Sequence, residues 1–309
     1  MPDSKSHLNP DVLAKITPLG LRAERVVEGT ISGLHRSPLH GVSVEFADYR
    51  EYAPGDDLKR LDWRAYARSN RYFIKQYEEE SNLRCTLLLD CSASMKYAGR
   101  TSAMSKFDYA ATTAASLAHL LIRQRDAVGL ALVDKAQRVW LRPAATHANL
   151  TKIIDTLSAA RPDRETELAT AMNGVAAQIA GRGLVIILSD LLTDLDAFYT
   201  ALGRLRHSGH EILVFQCLDA DEIELPFQDS VLFKDIEGQE ELFAEPWAFR
   251  RQYREAMLAF IEDVRQRCHS GGIDHLLLTT DQPLDVALSH YLHRRQRTGG
   301  AAKGRGGVG

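Results

Sequence analysis

One short segment of the chain combines an apolar strand with side chains that can bind a cation. The run from Leu87 to Leu89 leads directly into Asp90, and Ser92 and Ser94 follow at alternate positions. A loop leaving a strand can turn one carboxylate and two hydroxyls toward the same point, and hard cations such as Mg2+ prefer oxygen ligands. Ligands of open α/β sheets bind at the carboxyl ends of strands, where this loop would lie. The structural alternative is that Asp90 caps the next helix and the serines bond to loop backbone.

Two distant segments supply further oxygen atoms. Thr166 precedes an alanine-rich helical pattern from Leu168 to Ala180, so we expect it in or beside the first turn of a helix. The apolar run from Gly183 to Ser189 is typical of a buried strand, and it ends on Asp190. Because the ends of parallel strands share one edge of a sheet, the sequence predicts that five side chains converge there: Asp90, Ser92, Ser94, Thr166 and Asp190.

The remaining elements must build the sheet that positions this edge. Strand patterns at 126–133, 211–218 and 273–278 alternate with helical patterns at 107–124, 148–158, 196–207, 246–267 and 283–297. A short strand at 138–141 follows a polar turn, which indicates a hairpin and an antiparallel edge. We therefore predict an α/β fold with a doubly wound, mostly parallel sheet, one antiparallel edge strand and helices on both faces.

The domain boundaries follow from changes in pattern. Residues 81–298 are predicted to form the α/β domain, with an inserted hairpin at about 219–245 where Leu225-Pro226 and Gly238 interrupt the alternation. Residues 20–80 form a separate segment that we expect to pack on this core. The first 19 residues and the glycine-rich stretch 299–309 are expected to be flexible and disordered, respectively.

The segment before the sheet is dense in charged and aromatic residues. Pro54-Gly55 suits a type II turn, and the nearby acids and arginines can form a network of ion pairs around Trp63 and Tyr66. A catalytic use of the acids is the alternative, but interspersed arginines favour a structural or docking role. The candidate docking surface comprises Glu45, Arg50, Asp56, Asp57, Arg60, Asp62, Trp63, Arg64 and Arg68.

Composition narrows the function classes. The chain has 309 residues, 45% of them hydrophobic and 26% charged, as in ordinary globular proteins, and a formal net charge of -3. This charge gives no general attraction to nucleic acid or to anionic membranes. Neither an export signal nor an apolar run of about 20 residues is visible, so we expect a cytoplasmic protein without membrane insertion. The four cysteines lack paired spacing and are expected to be reduced.

These residues resemble two known patterns. The DxSxS loop at Asp90–Ser94, with Thr166 and Asp190, resembles the metal-ion-dependent adhesion site (MIDAS) of von Willebrand factor A domains. The segment from Glu45 through Asp62-Trp63 to Lys75 resembles the signature of a bacterial von Willebrand factor A-like family, "domain of unknown function 58". The second resemblance covers almost the whole chain.

The resemblance implies a fold, a metal and a partner. It implies a von Willebrand factor A-like domain with Mg2+ held directly by Ser92, Ser94 and Thr166, while Asp90 and Asp190 act chiefly through water. Mn2+ or Ca2+ are the alternative ions. It also implies association with MoxR-type AAA+ ATPases, as an adaptor or co-chaperone. Two positions differ from the usual pattern, since Glu165 and Leu191 stand where glycine is common.

Three functional hypotheses follow. In the first, the chain is a non-enzymatic binding module whose metal accepts an acidic side chain from a protein partner. In the second, the same ion serves a hydrolase, with Cys91, Glu165 or Glu167 as the reacting group, although the sequence shows no phosphate-binding glycine loop. In the third, the Glu45–Arg68 block is the working surface and docking does not depend on metal.

Overall fold

The structure is a computed structural model that describes residues 19, 23, 26–27, 44–51, 72–79, 83–100, 102–163, 167–234, 241–285 and 288. Its strands are β1 (Val44–Glu51), β2 (Phe73–Glu79), β3 (Arg84–Asp90), β4 (Ala127–Val133), β5 (Gln137–Ala144), β6 (Leu184–Ser189), β7 (Glu211–Leu218), β8 (Val231–Lys234), β9 (Glu241–Ala244) and β10 (Asp274–Thr279). Its α-helices are α1 (Lys106–Arg123), α2 (His147–Ala159), α3 (Leu168–Ala176), α4 (Leu195–His207), α5 (Ala220–Glu224) and α6 (Pro246–Ser270), and a 3-10 helix spans Ala93–Lys96.

A six-stranded sheet organises the molecule. Its strand order is β10-β7-β6-β3-β4-β5. All neighbours are parallel except β4 and β5, which pair antiparallel. The chain first extends the sheet from β3 to β4 and β5, and then continues on the other side of β3 with β6. The carboxyl ends of β3 and β6 therefore flank the point where the strand order reverses, which is where such sheets bind ligands.

Each face of the sheet is covered by helices because successive strand residues point to opposite sides. On one face, Leu87 and Leu89 of β3 pack with α1 and α2 in a single buried cluster. On the other, Leu88 packs in a second cluster with α3, α4 and α6. The predicted doubly wound, mostly parallel α/β sheet, with one antiparallel edge strand and helices on both faces, is confirmed.

The elements differ from the sequence prediction at a few ends. Helix α3 stops at Ala176, whereas the predicted helix continued to Ala180. Beyond it the chain makes a turn and an irregular segment before β6. The predicted last helix, 283–297, and the tail lie almost entirely outside the described residues.

The region 219–245 contains more than the hairpin that the sequence predicted. It begins with the short helix α5, capped by Asp219, and continues into the antiparallel pair β8 and β9. Arg100, in the loop after the 3-10 helix, donates to the Pro226 carbonyl oxygen at 3.4 Å and places its guanidinium 4.9 Å from the centre of the Phe227 ring. The insertion therefore lies at the same edge of the sheet as the candidate metal loop.

Before the sheet, β1 and β2 form an antiparallel pair with an irregularity between Phe46 and Asp48. Leu19, Ala23 and Val27, spaced four apart, are buried in the same cluster as α1. Within the described residues, none of the helices combines the length and the apolar composition that crossing a bilayer requires.

Candidate metal-binding site and its buried ion pairs

The chain turns sharply at the end of β3, and Asp90 shapes that turn. Its Oδ1 accepts a hydrogen bond from the Ser92 backbone N–H at 2.8 Å. Ser92 is the residue before the 3-10 helix, and its Oγ lies 3.0 Å from the Oγ of Ser94. One carboxylate thus folds the loop so that two hydroxyl oxygens lie together. Asp90 does not cap the 3-10 helix, whose N-cap is Ser92, and the two serine hydroxyls bond to each other, so the loop differs from the structural alternative. It brings together oxygen donors of the kind that the metal hypothesis requires.

Asp190 lies at the end of the neighbouring strand β6, and Ser189 connects it to Asp90. The Ser189 hydroxyl donates to Asp90 Oδ2 at 2.6 Å and accepts from the Leu191 backbone N–H at 3.0 Å. Asp90, Ser189 and Asp190 are all buried. The predicted convergence of Asp90, Ser92 and Asp190 at one edge is therefore present in the structure, while Thr166 lies outside the described residues.

Burial makes the ionised form of the Asp90 carboxylate less favourable. Removal from water, and then the nearby Asp190 carboxylate, raise the pKa of Asp90 to about 7, against the lowering effect of hydrogen bonds from Ser189 and Ser92. A cation placed beside Asp90 would favour its ionised form. The carboxylate environment is thus of the kind that a bound ion stabilises.

Asp190 already has a cationic partner within the fold. Lys106 is fully buried, and its Nζ lies 2.8 Å from Asp190 Oδ2 and 2.6 Å from Glu222 Oε1. Burial alone would lower the pKa of Lys106, but the two carboxylates raise it above its ordinary value. Lys106 is also the first residue of α1, where the helix dipole disfavours a positive charge. The ammonium is therefore held in place by Asp190 and Glu222.

Leu191, where the sequence pattern would have glycine, adopts a left-handed backbone with φ of 60°. This conformation costs about 1 kcal/mol for a residue with a side chain, and glycine avoids that cost. The Leu191 side chain is fully buried in the cluster beneath α3 and α4. Burial of the side chain offsets the backbone cost, which explains how leucine is accommodated at this position.

Acids at the start of α5 connect the loop after the 3-10 helix to the insertion. Asp219 Oδ2 accepts from the Gly99 N–H at 3.0 Å, from Ser102 Oγ at 2.6 Å and from Thr280 Oγ1 at 2.7 Å. Burial raises the pKa of Asp219, but these hydrogen bonds outweigh it and hold the pKa below its ordinary value. Asp219 therefore serves as an ionised acceptor that joins two loops.

Glu222 extends this set to the candidate metal site. Its Oε2 accepts from the Asp219 N–H at 2.9 Å, while its other oxygen holds Lys106. A continuous chain of ion pairs and hydrogen bonds runs from Asp190 through Lys106 and Glu222 to Asp219.

The donor set fits a hard cation. Among the described residues, no three His, Cys, Asp or Glu side chains come together as metal ligands. The donors at the edge are instead the hydroxyls of Ser92 and Ser94 with the carboxylates of Asp90 and Asp190. Hydroxyl and carboxylate oxygens supplemented by water suit Mg2+, whereas Zn2+ favours nitrogen and sulfur ligands.

Cys91 lies within the loop but lacks the properties of a nucleophile. Its thiol is buried, and burial followed by the Asp90 charge raises its pKa to about 12. A reactive cysteine needs a lowered pKa and access to solvent. Of the hydrolase candidates, Glu165 lies outside the described residues, and Glu167 stands immediately before α3.

Sequence reasoning missed Lys106, Ser189 and Glu222. A sequence signal existed for Lys106, since it precedes Phe107 and a long apolar, alanine-rich pattern in which an isolated lysine is unusual. Ser189 sits directly before the strand-terminal acid, so its position was visible but its role was not. Glu222 had no signal, because α5 was not predicted.

The candidate docking surface is described only at its start. Glu45 and Arg50 lie on β1 and pair in register with Glu78 and Ile74. The other seven residues of that surface, Asp56, Asp57, Arg60, Asp62, Trp63, Arg64 and Arg68, fall outside the described residues. The ion-pair network around Trp63 stays a prediction.

Comparison with protein families places the chain. A family model described as "Protein of unknown function DUF58" matches residues 48–261. This chain belongs to the DUF58 family. The match begins on β1 and ends within α6, so it includes the charged segment, the DxSxS loop and the insertion of this family member.

Relatives of this DUF58 protein occur in bacteria. "Uncharacterized protein Rv1480" of Mycobacterium tuberculosis is 27% identical over 293 residues, which cover 94% of this chain and 91% of the relative. "Uncharacterized protein YeaD" of Bacillus subtilis is 28% identical over 117 residues, covering 38% of this chain and 27% of the relative.

Solved structures with similar shape have low sequence identity. An aerotolerance-related membrane protein from Bacteroides fragilis has a TM-score of 0.49 and 15% identity, covering 70% of this chain and 99% of its own. A von Willebrand factor type A structure from Catenulispora acidiphila has a TM-score of 0.32 and 16% identity, covering 45% of this chain and 34% of its own.

Proposed function

We propose that this DUF58 chain is a non-enzymatic protein-binding module that holds Mg2+ at Asp90, Ser92, Ser94, Thr166 and Asp190. The observation that carries the proposal is the loop after β3, where Asp90 folds the chain so that two serine hydroxyls lie 3.0 Å apart at the reversal point of the sheet. Ser92, Ser94 and Thr166 would hold the ion through neutral hydroxyls, which would leave most of its positive charge available to attract a partner's carboxylate.

The hydrogen bonds divide the donors into two groups. Both oxygens of Asp90 already accept hydrogen bonds, from Ser92 N–H and Ser189 Oγ. Both oxygens of Asp190 also have partners, the Leu192 N–H at 3.1 Å and the Lys106 ammonium. This arrangement supports the division that the family resemblance implies, with serine hydroxyls as direct ligands and the two acids acting through water.

We further propose the partner and its location from the family resemblance. The partner is a MoxR-type AAA+ ATPase or its client in the cytoplasm, and an acidic side chain of that partner completes the metal shell. An adaptor role requires binding and release but no chemistry, which agrees with the buried, high-pKa thiol of Cys91.

The decisive experiment measures binding of the purified chain to the MoxR-type ATPase by isothermal titration calorimetry, with Mg2+ and with EDTA. We expect binding with Mg2+ and a loss of about tenfold or more with EDTA or in the Ser92→Ala/Ser94→Ala variant, since each lost charge-assisted contact costs about 1.5–3 kcal/mol. Ser158→Ala, an exposed serine of α2, is the matched control and should bind normally.

The same titration separates the alternatives. Equal affinity with Mg2+ and with EDTA would contradict the metal-dependent mechanism. If binding then disappeared on charge reversal of Arg60 and Arg64, docking would belong to the Glu45–Arg68 block. Turnover of a phosphodiester that is lost in Asp90→Ala would instead support a hydrolase.

A further inference from the structure

A cavity of about 570 Å3 opens at the other edge of the sheet, away from the DxSxS loop. It is lined by the starts of β3 and β4, the end of β5 and the segment that follows α3. Its volume lies within the roughly 300–1,000 Å3 range of small-molecule sites. The cavity is therefore large enough to hold an organic ligand.

The cavity exists because helix and sheet leave this corner unfilled. Helix α3 ends at Ala176, and the chain then passes Gln178 and Ile179 as irregular backbone. The strand residues beneath are small, since Ala127 and Gly129 of β4 lie in register with Arg84 and Thr86 of β3. A side chain at Gly129 would collide with the Leu141 carbonyl oxygen and the Pro143 ring, so larger residues cannot fill the space from β4.

The lining offers cationic donors and an aromatic ring. Trp140 and Arg142 of β5 both line the cavity. Arg84 reaches the cavity from β3, and its Nη1 donates to the Ala180 carbonyl oxygen at 3.3 Å. In the part of the chain that the structure describes, neither guanidinium has a carboxylate partner. Two exposed arginines thus face one cavity with most of their donors unused.

The arginines, the tryptophan and the glutamine that line the cavity favour a ligand with a phosphate group and a planar ring. A carboxylate is satisfied by one guanidinium fork, whereas a phosphate dianion can use two. The half-buried Trp140 ring offers a stacking surface for a planar heterocycle. Gln178 uses its amide nitrogen on Gln137 and Gly174, so its amide oxygen is left to accept from a ligand N–H or hydroxyl.

We infer that this cavity binds a nucleoside monophosphate, with its phosphate between Arg84 and Arg142 and its base against Trp140. The site is formed by starts of parallel strands, and the candidate metal site by their ends. Binding here is therefore independent of Mg2+ and of the proposed adaptor function.

Calorimetric titration of the full chain with AMP, GMP, CMP and UMP in the presence of EDTA tests the inference. We expect saturable one-site binding of at least one nucleotide, with its nucleoside and inorganic phosphate each binding about tenfold more weakly. Arg84→Gln and Arg142→Gln should each weaken binding about tenfold or more, because a charge-assisted contact is lost. Trp140→Leu should weaken it, while Trp140→Phe keeps a stacking ring and restores most of the affinity.

The controls make the result specific. The Arg251→Gln variant lacks an exposed arginine of α6, which does not line the cavity, and should bind the nucleotide like the unaltered protein. The Ser92→Ala/Ser94→Ala variant should also bind it normally. Both cavity arginines are exposed, so their variants should retain the melting temperature. Failure of all four nucleotides to bind at millimolar concentration would overturn the inference. So would unchanged affinity in both arginine variants.

Discussion

The lysine at the start of α1 shows how a single buried charge can organise this site. Lys106 is fully buried yet touches two carboxylates on different elements, Asp190 after β6 and Glu222 on α5. A buried ion pair gains little over apolar packing, but removing one member leaves an uncompensated charge. The main structural role of Lys106 is therefore to fix the positions of the Asp190 and Glu222 side chains.

Replacing this lysine tests its role in stability. We expect Lys106→Met to lower the free energy of unfolding by about 3–5 kcal/mol, because Asp190 and Glu222 lose their counter-ion. Urea denaturation measures the change, and Lys152→Met, an exposed lysine of α2, is the control with an effect near zero. Adding Glu222→Gln to the Lys106→Met variant should recover part of the loss. A loss below about 1 kcal/mol in Lys106→Met would show that the pair does not matter for folding.

Leu191 tests the cost of a left-handed backbone. Within a regular helix or strand, a glycine variant is ordinarily less stable than the alanine variant by about 0.5–1 kcal/mol. Replacing Leu191 by Gly or by Ala removes the buried side chain in both cases. Only alanine is strained at the φ of 60° that this position requires. We therefore expect Leu191→Gly to be more stable than Leu191→Ala by about 1 kcal/mol. Leu188, on regular β6 backbone, is the matched control at which Gly should be worse than Ala. The same order at both positions would contradict the interpretation.

At the scale of elements, the contact between the loop after the 3-10 helix and α5 is close enough to require glycine. A Cβ at Gly99 would clash with the Asp219 carboxylate and come within 2.8 Å of Asp221 Cγ. The Asp219 carboxylate accepts several hydrogen bonds and the Asp221 carboxylate accepts one from the Arg100 N–H, so neither can move away freely. The insertion thus packs closely against the backbone of the candidate metal loop, and hydrogen bonds from that backbone to Asp219 and Asp221 join the two.

Gly99→Ala should accordingly destabilise the protein by about 1–3 kcal/mol, the usual cost of overpacking. Gly203, within α4, provides the matched control, since an added Cβ there meets nothing within 4 Å. Gly203→Ala should stabilise the protein by about 0.5–1 kcal/mol through the ordinary helix preference for alanine. Thermal unfolding of both variants measures the contrast. Equal effects of the two substitutions would mean that the join between the loop and α5 is looser than the structure shows.

Across the whole molecule, the parts that the sequence predicted share a physical property. Buried strands such as 184–189 and the run into Asp90 are read from local apolar periodicity, and the common edge follows from parallel topology. Long-range partnerships have no local signature, so Lys106 meeting Glu222 was not predictable from either segment alone. The early end of α3 was also missed, because the alanine-rich pattern continues past Ala176, where the helix ends. The cavity beside Trp140 is lined in part by the segment that follows this helix end.

Binding of Mg2+ should stabilise the folded molecule as a whole. A ligand that binds only the folded state stabilises it by RT ln(1 + [L]/Kd), about 2.7 kcal/mol at a hundredfold excess over Kd. Millimolar Mg2+ should therefore raise the melting temperature of the chain, and EDTA should reverse the rise. The Ser92→Ala/Ser94→Ala variant should lose this response, while Ser158→Ala should keep it. An equal rise in both variants would mean that Mg2+ acts elsewhere on the protein, and the Asp90 loop would then serve only to shape the end of β3.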